Sequence, residues 1–182
     1  MTKRPPLATV VLPERSTAPL MTTAPRLSSA GFDVSRLAPD AVGSLAAALS
    51  PDERHVLLAH GTERPFCGTL LDNKKHGTYV CRLCALPLFS SRAKFDSGTG
   101  WPSFFQPYAP EHVESIIDES YGMVRTEIRC QRCGGHLGHV FPDGPPPTRQ
   151  RYCLNSASLE FVDEGSPLPQ RVDADRGPAR PA

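Results

Sequence analysis

Apolar and polar side chains alternate most regularly over residues 124–130, which predicts a β-strand. The apolar and small side chains share one face: Val124, Thr126, Ile128 and Cys130. The charged side chains share the other face: Arg125, Glu127 and Arg129. The turn-forming residues 118–122 connect this strand to a predicted partner over 112–117, and further strands are expected over 78–81 and 157–162.

Helical signals precede the strands. Ser50, Pro51 and Glu53 form a capping box with proline at the first helical position, and Gly61 supplies a stop, so a helix is expected over 51–60. A weaker helix is expected over 40–49, with Val42, Leu45 and Leu49 on one side. From residue 65 onward, short runs are broken by Gly, Pro, Asn and Asp, which indicates strands and turns. The predicted fold class is therefore mainly β, a small antiparallel domain with short N-terminal helices.

The ends of the chain have a different composition. Residues 1–27 contain five prolines among Ser, Thr and Ala without periodicity, so we expect a disordered extension. A transit peptide is an alternative interpretation, but the prolines and the lack of an amphipathic period disfavour it. We expect residues 28–49 to form a lead segment with the weak helix, residues 50–163 to form the folded domain, and residues 164–182 to form a second disordered tail.

Charge and hydropathy exclude several classes of protein. The chain has 20 Lys and Arg against 19 Asp and Glu, a net charge of +1, which argues against a nucleic-acid-binding module or an anionic membrane surface. No run approaches the roughly 20 apolar residues that span a bilayer. The first residues do not have a secretory pattern, so we expect a cytoplasmic protein.

Four of the six cysteines lie in two C-x-x-C pairs. Four thiolates at this spacing are typical of a tetrahedral structural zinc site, closed to catalysis. Disulfides are an alternative for an exported chain, and buried free cysteines are another, but without an export signal the pairs favour metal. The predicted ligands are Cys81, Cys84, Cys130 and Cys133.

The remaining chemistry follows the second pair. His136 and His139 lie among glycines; taken alone, they are also compatible with metal ligands or ordinary core histidines. Cys153 alternates with Arg151 and Asn155, so in a strand a guanidinium and an amide could flank the sulfur. A nearby cation favours the thiolate, the nucleophilic form, although a buried inert thiol has the same signature.

Two further residues carry weaker signals. Cys67, in ERPFCG, is either an idle surface thiol or a partner that attacks a sulfenic acid on Cys153. Trp101 lies in a glycine-rich loop that could expose its ring as a pocket wall, although a single tryptophan is more often a core residue.

Three motifs together resemble the methionine-R-sulfoxide reductase family, MsrB. They are KFDSGTGWPSF at 94–104, RCQRCGGHLGHVFPDGP at 129–145 and RYCLNSASLEF at 151–161. The resemblance covers roughly residues 50–163. It implies two antiparallel sheets in a barrel-like domain, a structural zinc, and reduction of the R epimer of methionine sulfoxide, with peptide-bound substrate preferred and thioredoxin as reductant.

By motif position, the resemblance assigns Cys153 as the nucleophile and the four paired cysteines as zinc ligands. It assigns the substrate pocket to Trp101, His136, His139 and Asn155. The implied mechanism is attack of the Cys153 thiolate on the sulfoxide sulfur, with His139, in preference to His136, donating a proton to the oxygen.

In that mechanism Asn155 and Arg151 orient the site and favour the thiolate. Many relatives carry a resolving cysteine where this chain has Thr99, so Cys67 is the expected resolving residue. Two rival functions are a zinc-stabilised binding module and a thiol oxidoreductase that acts on disulfides. The first leaves GHLGHVF and the free Cys153 without a purpose, and the second needs C-x-x-C pairs that the metal occupies.

Overall fold

The computed structural model describes residues 24–171, which form two short α-helices and nine β-strands. The helices are α1 (Pro39–Ala46) and α2 (Pro51–Ala59). The strands are β1 (Gly77–Cys81), β2 (Pro87–Ser90), β3 (Lys94–Phe95), β4 (Ser103–Phe104), β5 (Val113–Asp118), β6 (Arg125–Cys130), β7 (His136–Phe141), β8 (Arg151–Leu154) and β9 (Leu159–Asp163). A 3-10 helix over Ser156–Ser158 separates the last two strands.

The predicted helix over 51–60 is confirmed, including its cap. The Ser50 hydroxyl accepts a hydrogen bond from the Glu53 amide at 3.3 Å, and the Glu53 carboxylate accepts one from the Ser50 amide at 2.9 Å. The helix ends at His60, which has the left-handed conformation with φ of 56°. The weaker helix is also present but is shorter than predicted: α1 ends at Ala46, whereas the prediction extended to Leu49.

All strand pairs are antiparallel, and they form two sheets. One sheet has the order β2-β1-β9 and the other the order β3-β4-β8-β7-β6-β5. The pairing of β5 with β6 confirms the predicted hairpin. Val124 lies outside the strand and is exposed, and the strand predicted from residue 157 begins at Leu159, because the 3-10 helix occupies the residues before it.

The core lies between the two sheets. The Tyr79 ring of β1 meets the Phe104 ring of β4 at a centroid distance of 4.9 Å, and the Phe89 ring of β2 meets the same ring at 4.7 Å. Buried Leu57 brings α2 onto the segment that leads into β7. These contacts hold the small sheet and α2 against the large one, which confirms a mainly β fold with two antiparallel sheets.

The segments that flank the domain make specific contacts where the structure describes them. Leu27 pairs with Asp33 in an isolated bridge, and the Leu37 amide donates to the Arg132 carbonyl at 2.8 Å. The Arg171 guanidinium donates to the Cys81 carbonyl at 3.1 Å. The rest of the two predicted disordered segments, residues 1–23 and 172–182, lies outside the described residues. Among residues 24–171, no helix is both long and apolar enough to cross a membrane.

Replacement of the helix cap tests the local basis of α2. Ser50→Ala removes the acceptor for the Glu53 amide, and we expect a loss of about 1 kcal/mol in the free energy of unfolding, or roughly 3 °C in Tm. Ser44→Ala is the matched control, since that hydroxyl only donates to the Asp40 carbonyl within α1. Equal melting temperatures for Ser50→Ala and the unmodified protein would refute the capping argument.

Candidate functional site

The two C-x-x-C pairs fold into knuckles with the same backbone hydrogen bonds. In the first, the Ala85 amide donates to the Cys81 carbonyl at 2.8 Å, and in the second the Gly134 amide donates to the Cys130 carbonyl at 2.8 Å. Ala85 and Gly134 both have positive φ, 61° and 76°. The left-handed residue reverses the chain so that both sulfurs of a knuckle point the same way.

The knuckles bring four buried sulfurs together. Cys81 Sγ lies 3.6 Å from Cys133 Sγ, and Cys84 Sγ lies 3.5 Å from Cys130 Sγ. All four sulfurs lie within 4.8 Å of one another. Disulfide-bonded sulfurs lie about 2.0 Å apart, whereas the edge of a tetrahedron with metal–sulfur bonds of about 2.3 Å is about 3.8 Å. The donor set therefore fits a tetrahedral thiolate-bound metal ion.

The residues of the second candidate site lie in one row across the large sheet. The backbone register pairs Ser103 with Cys153, Cys153 with His139, and His139 with Glu127. Residues directly opposite each other on antiparallel strands project from the same face. Cys153 therefore has a hydroxyl on one side and an imidazole on the other.

A bulge in β7 adds His136 to this face. The register steps from Ile128 opposite Gly138 to Arg129 opposite His136, which leaves Leu137 as an extra residue. In a regular strand, residues three apart face opposite sides; the extra residue puts His136 and His139 on one side, with their rings 5.6 Å apart.

Gly138 allows β7 to lie this close to β8. Its φ is 153°, and a Cβ at this position would lie 2.1 Å from the Cys153 carbonyl oxygen. Any larger residue would displace the strand that carries the thiol. Gly138 of GHLGHVF is thus required for the packing of β7 against β8.

Cys153 is partly buried beside a chain of hydroxyls. Its sulfur lies 3.8 Å from the Thr99 hydroxyl, which is 2.8 Å from the Ser97 hydroxyl. Burial raises the pKa of the Cys153 thiol, and the Thr99 hydroxyl and the Arg151 charge only partly offset that effect. The Arg151 charge therefore favours the thiolate, as the sequence predicts, but the effect of burial on the pKa of Cys153 is larger.

Arg151 is itself held away from the thiol by other partners. Its guanidinium makes two hydrogen bonds of 2.9 Å with Asp143 and stacks 4.5 Å from the centroid of the Phe141 ring. The carboxylate raises the pKa of Arg151. Arg151 therefore contributes a fixed positive charge near Cys153, without a direct hydrogen bond of normal length.

Each histidine has its own carboxylate. His139 Nε2 lies 2.8 Å from Asp118 Oδ2, and His136 Nδ1 lies 2.6 Å from Glu127 Oε1. Hydrogen bonds from Ser120, and then from His139, lower the pKa of Asp118. Both carboxylates therefore remain ionised and fix the orientation of the two rings.

Trp101 and Asn155, the residues predicted to form the substrate pocket, are linked through Glu63. The Trp101 indole donates to the Glu63 carbonyl at 3.2 Å, and the Asn155 side-chain oxygen accepts from the Glu63 amide at 3.0 Å. Asn155 also donates to the Leu137 carbonyl at 3.1 Å and is buried. Asn155 lies one residue beyond β8. Its side-chain amide connects Leu137, the extra residue of the bulge, to Glu63, whose carbonyl accepts the hydrogen bond from Trp101.

Cys67 lies on an exposed segment that is anchored at both ends. The Glu63 carboxylate accepts from the amides of Ser156 and Ala157 at 2.6 and 3.1 Å, and the Leu70 amide donates to the Ser156 hydroxyl at 3.4 Å. Cys67 itself is exposed. The two anchors place this segment against residues that follow Cys153 by three and four positions.

Four residues of the site were not identified from the sequence: Glu63, His60, Asp118 and Glu127. The alternation in β6 correctly put Glu127 on a charged face, but that face is the one that carries the site. No local pattern links Asp118 to His139, because their pairing depends on the fold of the sheet. The Glu63 carboxylate accepts hydrogen bonds from Ser156 and Ala157, which are more than 90 positions away along the chain, so no local pattern links them.

Comparison with known proteins agrees with this geometry. The SelR domain family matches residues 49–163. The peptide methionine sulfoxide reductase MsrB of Caulobacter vibrioides (strain NA1000 / CB15N) is 59% identical over 149 residues, which is 82% of this chain and 94% of that protein.

Two other relatives carry the same description. The protein of Xylella fastidiosa (strain M23) is 59% identical over 141 residues, 78% of this chain and 91% of the relative. The protein of Escherichia coli O139:H28 (strain E24377A / ETEC) is 57% identical over 115 residues, 63% of this chain and 84% of the relative. The chain therefore belongs to the MsrB family of methionine sulfoxide reductases.

Proposed function

We propose that this protein reduces the R epimer of methionine sulfoxide in oxidised proteins and peptides, and so repairs oxidative damage. The observation that carries the proposal is the cross-strand pairing of Cys153 with His139. A thiol supplies the nucleophile, an imidazole the proton, and an indole an apolar surface for the substrate methyl group. Membership of the MsrB family supports the epimer and the preference for peptide-bound substrate.

In the first step, the Cys153 sulfur gives up its proton and attacks the sulfoxide sulfur, which forms a sulfur–sulfur bond. His139 donates a proton to the sulfoxide oxygen, with Asp118 stabilising the imidazolium, and the thiol proton replaces the one that His139 gives up. The protonated oxygen then moves to the Cys153 sulfur: the sulfur–oxygen bond of the substrate and the sulfur–sulfur bond break, a sulfur–oxygen bond to Cys153 forms, methionine leaves, and Cys153 is a sulfenic acid. Arg151 and Asn155 orient the segment that holds the nucleophile, and Trp101 forms the pocket wall.

In the second step, Cys67 attacks the Cys153 sulfenic acid, which releases water and forms a disulfide. The exposed thiol and the anchors at Glu63 and Leu70 support this role, because they hold the Cys67 segment against Ser156, three residues after Cys153. Thr99 contacts the Cys153 sulfur from the loop where many relatives carry a resolving cysteine, and threonine cannot form a disulfide. Thioredoxin then reduces the disulfide, and we place this thiol-dependent cycle in the cytoplasm.

The four-cysteine cluster is proposed to hold a structural zinc ion. Sulfur separations near those of a tetrahedral tetrathiolate and complete burial of all four ligands support this assignment. With four protein ligands the coordination shell is filled. The metal would therefore stabilise the fold and take no part in the reduction.

Single-turnover chemistry tests the proposed reaction. Reduced protein mixed with a peptide that contains either epimer of methionine sulfoxide should release about one methionine per enzyme from the R epimer and none from the S epimer, because one sulfenic acid forms per nucleophile. Cys153→Ser should abolish this release. If the intact protein releases no methionine from either epimer, a zinc-stabilised binding module becomes the better account.

The role of Cys67 is tested separately. Cys67→Ser should still release about one methionine, but its steady-state rate with thioredoxin should fall by about 100-fold or more, because no disulfide can form. The unmodified protein under the same thioredoxin conditions is the control. Full thioredoxin-driven turnover of Cys67→Ser would return Cys67 to an idle surface thiol.

Loss of a metal ligand should unfold the domain. Cys130→Ser removes one of four thiolates, and we expect loss of about one equivalent of zinc by elemental analysis together with loss of cooperative thermal unfolding. Cys67→Ser is the matched control, since Cys67 is exposed and lies outside the cluster. A stable, zinc-free and fully active Cys130→Ser protein would disprove the metal assignment.

A further inference from the structure

One buried carboxylate serves three basic side chains. Glu127 Oε1 lies 2.8 Å from His60 Nδ1 and 2.6 Å from His136 Nδ1, while Glu127 Oε2 accepts a hydrogen bond from Arg129 at 2.6 Å. The sequence does not indicate this arrangement, since His60 ends α2 and is far from the other three along the chain. The two imidazoles therefore compete for a single oxygen atom.

The carboxylate fixes which nitrogen of each ring carries hydrogen. Burial opposes ionisation of Glu127, but hydrogen bonds from Arg129, His136 and His60 more than offset it and lower the pKa of Glu127 to about 2. An ionised carboxylate only accepts hydrogen bonds, so both Nδ1 atoms must donate. A neutral His136 then has its lone pair on Nε2.

His136 Nε2 is buried and has no hydrogen-bond partner among residues 24–171. An unpartnered buried polar atom is costly, so this acceptor indicates a place for a donor that arrives with the substrate. The His139 ring is 5.6 Å away on the face that carries Cys153. The acceptor therefore belongs to the same site as the proton donor.

On balance, the surroundings of His136 disfavour a proton on its ring. The charged or titratable groups that face the ring are Glu127 and Arg129 on β6, His139 on β7, and His60 after α2. Burial, the largest effect, lowers the pKa of His136, and the Glu127 carboxylate raises it. The neighbouring imidazoles His139 and His60 lower it again, so the net shift is downward.

His60 and His136 differ strongly in exposure. The His60 side chain is 46% exposed, whereas that of His136 is 3% exposed. A charge on the half-exposed ring would be solvated by water, whereas a charge on the buried ring would not, and two charged imidazoles on one oxygen repel each other. His60, Glu127 and His136 are close enough to bind a metal ion, but the positive Arg129 guanidinium already binds Glu127 Oε2, which disfavours a cation at this place.

We propose that His60 is a positioning residue of the reduction: by sharing Glu127 Oε1 with His136, it keeps His136 neutral, so that Nε2 accepts a hydrogen bond from the protonated sulfoxide oxygen. This inference rests on the proposed function, in which His139 supplies that proton. The two histidines then have different roles, since His139 donates and His136 accepts. The carboxylate partners of the two histidines also differ: Glu127, the partner of His136, binds a second imidazole, whereas Asp118, the partner of His139, does not in the part of the chain that the structure describes.

His60→Asn is the test variant. Asparagine tolerates the left-handed conformation of residue 60 and its amide still donates to Glu127, but it cannot carry the proton. His55→Asn is the matched control, because His55 is an exposed histidine of the same helix. His136 is titrated by NMR through its imidazole resonances, which are assigned from their absence in His136→Gln.

In His60→Asn, the titration midpoint of His136 should rise by about half a pH unit or more. The single-turnover rate of methionine formation, divided by the wild-type rate at the same pH, should fall towards about one third as the pH drops below the titration midpoint of His136, and it should return to one at pH 9. Ionisation of Cys153 affects both proteins equally and cancels in this ratio. His55→Asn should match the wild-type protein in both measurements.

An unchanged His136 titration would overturn the inference. A rate reduced by the same factor at every pH would do so as well, because it would show a structural role only. A shifted titration with unchanged rates would show that the coupling has no part in the reaction. Wild-type protein that forms no methionine at any pH would overturn the proposed function instead, and the titration would then decide the coupling by itself.

Discussion

The geometry of the site depends on how β7 pairs with its two neighbours. On one side, the extra residue Leu137 turns His136 onto the face of His139. On the other side, the absent side chain of Gly138 lets the strand lie against the Cys153 carbonyl. If β7 paired regularly with β6, His136 would point into the core, and if residue 138 had a Cβ, the thiol and the imidazole would be forced apart.

The cysteine cluster and this pairing are mechanically linked. Cys130 ends β6, Cys133 lies in the connection, and β7 begins at His136, so the second knuckle is the turn that sets the β6–β7 register. The Cys130 amide donates to the Gly135 carbonyl at 2.9 Å, and the Gly135 amide donates to the Cys133 sulfur at 3.4 Å. A metal on the four sulfurs would therefore fix both the contact between the sheets and the position of the histidines.

Local patterns were sufficient to predict the elements whose signals are local. The capping box of α2, the β5–β6 hairpin and the two knuckles are present, and the alternation in β6 assigned its two faces correctly. The short strands β3 and β4 have two residues each, too few for any period to be visible. The bulge also leaves no trace in the residue pattern, because HLGHVF reads equally well as a regular strand or as a loop.

The polar residues that contact the site, Glu127, Glu63 and Asp118, could not be predicted because their contacts depend on the fold and on burial. A charged face on an antiparallel strand normally indicates solvent, yet Glu127 is buried under His60 and His136. Glu63 and Asp118 act on residues brought to them by the fold, not by spacing along the chain. The environment of Cys153 was predicted only in part, since the cation at Arg151 is visible in the sequence whereas the burial that opposes its effect on the pKa is not.

The burial of Cys153 is consistent with the first step of the proposed reaction. Transfer of the sulfoxide oxygen to the cysteine gives a sulfenic acid, so the proton that the oxygen needs equals the proton that the thiol loses. In the proposed reaction, His139, directly opposite Cys153 in the sheet, would move that proton from sulfur to oxygen. Burial raises the pKa of the thiol and so lowers the fraction of thiolate, which is the form that oxidants attack. The same burial would therefore favour reaction with a substrate whose oxygen accepts the thiol proton over reaction with oxidants in solution.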